Sequence, residues 1–297
     1  SSAPYENKYT IAVKEIENGR VSGYINRNLK EGDVVEVMPP MGNFTYNFSP
    51  DNSKHYLFFA AGSGITPVIS LIKQGLHEEP NSKFTLFFSN KTEQDIIYKN
   101  ELEELAASHP NFKIYHVFTR QACDNKVLEG RINKQKCFDL MEAFPEIKNA
   151  DEVFVCGPEP MILEVKKAFT EKGYQENQIH FELFTTPTQQ PEALQGKTET
   201  DFQGKAHVIV IMDGEEYEFD MDASKENILD AAIEHGVDAP FSCKGAVCCT
   251  CKAKVMEGKA VMDMNYALTD EEVEEGYVLT CQAHPATPKV VVDYDEI

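Results

Sequence analysis

The chain has 297 residues and a formal net charge of −21 at pH 7. It is long enough for two or three domains with cores of their own, and so acidic that nucleic acid, whose phosphates would repel it, is excluded as a partner. No apolar run approaches the roughly 18 residues of a membrane-spanning helix and no secretory leader is present, so the expectation is a soluble cytoplasmic protein with no membrane partner.

In chain order, Tyr9–Lys14 and Val34–Val37 read as the first β-strands. From residue 55 onward, strands and helices alternate. His55–Ala61 is a buried strand, and a helix begins around Pro67. Phe84–Phe88 is a second strand, and residues 95–107 a second helix. Lys113–Phe118 and Glu152–Cys156 are further strands, and residues 159–173 a helix. Such alternation implies a parallel sheet with ligands at the carboxyl ends of its strands. Two glycine-bearing turns stand at such ends. Ala61-Gly62-Ser63-Gly64-Ile65-Thr66-Pro67 follows the first strand, and Cys156-Gly157-Pro158 follows the fourth. Gly-x-Gly ahead of a helix can set backbone N–H groups against a pyrophosphate, although Pro67 departs from the usual dinucleotide fingerprint. A tight strand-to-helix turn remains the other reading of the first motif, and a small buried thiol the other reading of Cys156.

Residues 185–204 are rich in Thr, Pro and Gln without hydrophobic period, and read as a linker. Beyond it, Val208–Met212 and Glu215–Phe219 are strands joined by Asp213-Gly214, a strong hairpin signal. Asn227–Gly236 has helical spacing closed by glycine. Lys252–Met256 and Val290–Tyr294 are the last strands. Between them lie Cys243, Cys248 and Cys251, with Cys281 some thirty residues later. Four residues, then two, separate the first three; this is the plant-type ferredoxin spacing for a [2Fe–2S] cluster held by four thiolates. Zinc sites more often pair two short knuckles, and structural disulfides are not expected here. Gly245, Ala246 and Thr250 are small enough to let N–H groups approach sulfide. Cys249, wedged between two ligands, is expected to pack elsewhere. The charge is uneven: 7 basic and 20 acidic residues from Lys205 onward place −13 of the −21 there. Solubility explains this, or an acidic face toward a basic partner.

The two glycine turns and the cysteine segment together resemble the ferredoxin–NADP reductase superfamily with a carboxyl-terminal ferredoxin. The resemblance covers the whole chain. Within the superfamily it is similar to the phenylacetyl-CoA epoxidase reductase branch, on Gly19–Ser22, Asn265–Leu268 and Gly276–Gln282. It implies a multidomain fold: a partial antiparallel β-barrel for flavin over 1–50, an α/β parallel-sheet NAD(P)H-binding domain over 51–184, a linker over 185–204, and an α+β β-grasp ferredoxin domain over 205–297. It further implies that Gly62, Ser63, Gly64, Thr66 and Pro67 contact the nicotinamide nucleotide. Cys156, Gly157, Pro158 and Glu182 would stand beside the hydride-transfer site, with Cys156 and Glu182 as the catalytic pair. Gly19, Arg20, Val21 and Ser22, matching the family's Gly-x-x-Ser helix start, would meet FAD pyrophosphate. Phe184, in the His180–Phe184 terminus, would pack on the flavin ring or, failing that, in the core. The family's Arg-x-Tyr-Ser flavin motif is missing, which leads to the expectation of an incomplete barrel and weak or absent FAD affinity.

Cofactor preference turns on charge near the adenosine ribose. Lys91, Arg120 and Arg131 occupy positions where NADP-using relatives carry bases, no acid ends the second strand, and Tyr98 is a candidate adenine or ribose contact. NADPH is therefore expected, with NADH possible. The implied activity passes electrons from NADPH through FAD and the [2Fe–2S] cluster to a diiron oxygenase subunit. Alternatives are a reductase for another oxygenase or desaturase, or a non-catalytic electron carrier or redox sensor.

Overall fold

The computed structural model describes residues 1–38, 40–184, 202 and 204–296. The chain forms two compact units, one of residues 1–38 and 44–183, the other holding 40–43 and 184–296 as far as they are described. The expected linker lies outside the described residues except for Phe202 and Gly204.

The first unit is built on five strands: β1 (His55–Ala61), β2 (Lys83–Asn90), β3 (Phe112–Phe118), β4 (Glu152–Cys156) and β5 (Ile179–Glu182). They are all parallel, in the order β3-β2-β1-β4-β5. Its longer helices are α1 (Arg20–Asn28), α2 (Ile65–Glu78), α3 (Lys99–Ser108), α4 (Lys134–Ala143) and α5 (Glu159–Glu171). β1 explains the layering. Its alternate residues Tyr56, Phe58 and Ala60 face Val68, Ile69 and Ile72 of α2, while Leu57 and Phe59 face Leu140 of α4 and Val165 and Phe169 of α5. A central parallel strand is covered on both faces, so its sequence is apolar without alternation. Each such ring or branched chain, removed from water, contributes about 1.5–3 kcal/mol.

The barrel strands expected at Tyr9–Lys14 and Val34–Val37 are not formed; among the described residues no strand precedes β1. Tyr9 and Val34 are each 94% exposed. A strand is held by ladder partners and by a buried face, and these segments have neither, so their β-propensity goes unused. The aromatic residues that follow do find a place, with Phe44, Tyr46 and Phe48 packing edge-on against Tyr56 and Phe154.

The second unit carries β6 (Lys205–Met212), β7 (Glu215–Asp222), β8 (Lys252–Glu257), β9 (Ala260–Met262), β10 (Tyr277–Leu279), β11 (Ala283–Pro285) and β12 (Lys289–Asp293), with helices α6 (Ile228–Glu234) and α7 (Asp270–Glu274). The main sheet runs β10-β8-β12-β6-β7, and β9 pairs with β11 separately. Asp213 and Gly214 both have positive φ, +54° and +74°, as a two-residue hairpin turn requires. β12 returns parallel to β6, and α6 crosses between with Asn227 capping its start through the Asp230 N–H. No described helix is long and apolar enough to cross a membrane.

Candidate functional site

Two places concentrate chemistry. The first lies where β1 and β4 meet, the point at which strand order reverses and open α/β sheets bind ligands. β1 ends in Gly62-Ser63-Gly64, a single tight turn that leads straight into α2 with Thr66 and Pro67 in its first turn. Gly62 takes φ +53°. A Cβ on Gly64 would stand 2.1 Å from the Cys156 carbonyl oxygen, and one on Gly157 would stand 3.0 Å from the Ala61 Cβ. The two glycine turns are thus pressed backbone to backbone. Pro158 caps α5 immediately beyond.

Cys156 and Glu182 are register partners at the ends of β4 and β5. Cys156 is fully buried; burial, with the Glu182 charge adding to it, pushes its thiol up, so it is neutral at physiological pH. Burial alone raises the Glu182 carboxyl to about 7. An acid poised there can hold or release a proton near neutrality.

Beyond β2 and β3 the three predicted bases come into one region. The Arg120 N–H donates to the Lys91 carbonyl at 2.9 Å, and the Gly130 N–H, next to Arg131, donates to the Phe118 carbonyl at 2.8 Å. All three side chains are exposed. Tyr98 caps α3 in the left-handed conformation, and its hydroxyl accepts a 2.7 Å hydrogen bond from the Ser1 amino group. Gly19 caps α1, and the Ser22 hydroxyl accepts from the Ile16 N–H at 3.2 Å. Arg20 and Val21 are exposed in the first turn of that helix, and Phe184 is 45% exposed. For a flavin, Gly19–Ser22 supply one helix amino end suited to pyrophosphate, but the described residues before β1 form no enclosing barrel.

The second place is the loop between α6 and β8. Lys244 and Ala246 adopt positive φ, +49° and +62°, which winds the backbone tightly around the thiols. The Sγ atoms of Cys243 and Cys248 lie 3.3 Å apart. The Gly245 N–H donates to Cys243 Sγ at 3.3 Å, and the Thr250 hydroxyl stands 3.4 Å from Cys248 Sγ. Cys251 and Cys281 form a second pair: the hydrogen bond between them pushes the Cys251 thiol up and the Cys281 thiol down. The Cys249 thiol instead faces the Ala267 carbonyl at 3.8 Å, as expected. No disulfide forms among the eight cysteines. Among the described residues no three ligating side chains converge as a single metal ion would need. Two pairs of thiols do fit a binuclear cluster, where each iron takes two. Thr280 and Gln282 flank Cys281 within a stretch that carries the family resemblance, but their hydrogen bonds to the loop backbone are not legible from sequence because the partners Cys251 and Lys244 lie 29 and 38 positions away.

Both units have counterparts among known proteins. Residues 58–167 match the oxidoreductase NAD-binding domain model and residues 210–286 the 2Fe-2S iron-sulfur cluster binding domain model. The chain is 38% identical to one of the subunits of the 1,2-phenylacetyl-CoA epoxidase of Escherichia coli, covering 96% of this chain and 80% of that one. It is 31% identical to the ferredoxin reductase component of a 3-ketosteroid-9-alpha-monooxygenase from Rhodococcus rhodochrous, covering 99% and 81%. Identity to the glycine betaine monooxygenase reductase subunit of Pseudomonas aeruginosa is also 31%, over 99% and 80%. Among solved structures, an intact type IV self-sufficient cytochrome P450 monooxygenase superposes with a TM-score of 0.64 at 18% identity. That match covers 95% of this chain but 32% of the other, and speaks to the fold alone. The chain belongs to the family of NAD-binding, [2Fe–2S] reductase components that serve oxygenase systems. It is an oxidoreductase, and the cofactor set of its family is NAD(P)H, FAD and a [2Fe–2S] cluster.

Proposed function

We propose that this reductase draws electrons from NADPH and delivers them singly to a diiron oxygenase subunit, that of a phenylacetyl-CoA epoxidase. The observation that carries the single-electron reading is the gathering of four cysteines in two pairs: the Sγ atoms of Cys243 and Cys248 lie 3.3 Å apart, and Thr280, next to Cys281, holds the Cys251 carbonyl through its N–H and hydroxyl at 3.1 and 3.0 Å. We assign these four as the cluster ligands in a β-grasp module of residues 205–297. The pathway reading rests on the identity with the Escherichia coli epoxidase protein, and a reductase for another oxygenase is the second reading, favoured by the relatives at 31%.

In the module of residues 51–184, Gly62, Ser63, Gly64, Thr66 and Pro67 bind the nucleotide, their backbone shaped to approach the pyrophosphate. Lys91, Arg120 and Arg131 hold the 2′-phosphate, and Tyr98 borders the adenosine. Gly157 and Pro158 leave room beside Cys156, which closes the site as a neutral thiol and excludes water. Glu182 holds or releases a proton there near pH 7. Gly19, Arg20, Val21, Ser22 and Phe184 are the assigned FAD contacts. Bound flavin supplies the step from two-electron to one-electron chemistry.

The test is NADPH-dependent reduction of a one-electron dye by flavin-supplemented protein, followed by turnover with the oxygenase subunits of the epoxidase. Dye reduction without epoxidase turnover, but with turnover of another oxygenase, would move the pathway. No dye reduction at all would favour a carrier or sensor.

A further inference from the structure

Gln282 follows Cys281 directly and is buried. Its side-chain Nε2 donates to the Lys244 carbonyl at 3.2 Å and stands 3.7 Å from Cys281 Sγ. Lys244 itself follows Cys243 and is held in a left-handed conformation that a lysine adopts only under constraint. On the other side of Cys281, the Thr280 N–H and hydroxyl both reach the Cys251 carbonyl, at 3.1 and 3.0 Å. The Thr280 hydroxyl also shares a 2.7 Å hydrogen bond with the Tyr294 hydroxyl. The neighbours of the fourth cysteine therefore grip different limbs of the loop. Thr280 fixes the Cys251 limb within one thiol pair. Gln282 reaches across to the limb that carries the other pair.

We propose that Gln282 is a positioning residue that locks the two thiol pairs in register and donates a hydrogen bond to the Cys281 sulfur, raising the reduction potential of the cluster they hold. The proposal rests on the four-cysteine assignment above. Its physical basis is charge. Reduction adds one electron, the added negative charge spreads onto the ligating sulfurs, and an N–H aimed at sulfur stabilises it. A buried amide that lost both partners would also be costly, which ties its fixed position to the loop's own geometry. Outer partners of this kind govern retention of a metal group as well as its electronics.

The test uses the full chain reconstituted with iron and sulfide, with Gln282→Met (similar in shape, no donor) and Gln282→Asn (an amide too short to span both partners). Midpoint potential is read by optical redox titration, and cluster retention by the rate of iron transfer to a chelator. The expected result is a negative shift of potential in both variants, with iron release faster by roughly tenfold in Gln282→Met. Should Gln282→Met not fold, the potential of Gln282→Asn decides. A cluster-loaded variant with the wild-type potential overturns the proposal. A wild-type chain that takes up no cluster would overturn the cysteine assignment instead, so the two failures are told apart.

Discussion

Gly64 and Cys156 touch through their backbones: no side-chain atom fits between the Gly64 Cα and the Cys156 carbonyl, which a Cβ would approach to 2.1 Å. This contact joins the turns after β1 and β4 into one surface. Gly64→Ala must therefore displace backbone, costing on the order of 1–3 kcal/mol of stability and weakening NADP⁺ binding. Gly157→Ala meets first the mobile end of Met161, at 2.6 Å, and should be milder. Urea unfolding and calorimetric NADP⁺ titration of both variants check this order, and equal effects would contradict it.

The Glu182 carboxyl, raised to about 7 by burial, holds its proton more tightly folded than unfolded. Its contribution to stability is therefore complete below the usual carboxylate value and lost as pH rises from about 4.5 to 7, by at most about 3 kcal/mol. Glu182→Gln should remove that downward slope. Unfolding curves across this pH range give the answer, and an unchanged slope in the variant counts against the assignment.

Glu152 behaves in the opposite sense. Burial opposes its charge but is outweighed by hydrogen bonds from His180, Lys54 and Tyr46, at 3.0, 2.9 and 2.8 Å, and the carboxyl falls to about 2. Its contribution is present above the usual carboxylate value and lost as pH falls toward 2. Glu152→Gln should cost about 1–3 kcal/mol at neutral pH and less near pH 3. A pH-independent loss would show that the network works through packing alone.

The exposed bases after β2 and β3 predict a nucleotide preference. Arg120→Ala should weaken adenosine 2′,5′-bisphosphate binding by roughly tenfold or more, as loss of a charge-assisted hydrogen bond does, while leaving 5′-AMP within about twofold. Calorimetric titration with the two ligands measures the ratio directly. Equal losses for both would place Arg120 away from the 2′ position.

Much of this was legible in the sequence, for physical reasons. β1 and β4 carry unbroken apolar runs that only a two-sided core can satisfy, and Asp213-Gly214 admits one turn between its strands. α4 was missed because its amphipathic pattern is weak and its start rests on one cap, the Asn133 side chain accepting from the Lys136 N–H. β9 and β11 are three residues each, too short for any period to show. The strands expected at Tyr9–Lys14 and Val34–Val37 had the propensity but lack partners, and pairing is a tertiary property. At the cysteine loop the four ligands announce themselves by spacing. Gln282 does not, because its partner Lys244 lies 38 positions away.

The most direct test of the account is the iron and sulfide content of the reconstituted chain beside single-cysteine variants. Wild type and Cys249→Ser should each hold about two irons and two sulfides per chain and bleach on reduction, whereas Cys248→Ala and Cys281→Ala should lose the cluster. A Cys281→Ala protein that retains the full complement, or a Cys249→Ser protein that loses it, would contradict the assignment of the electron-exit site.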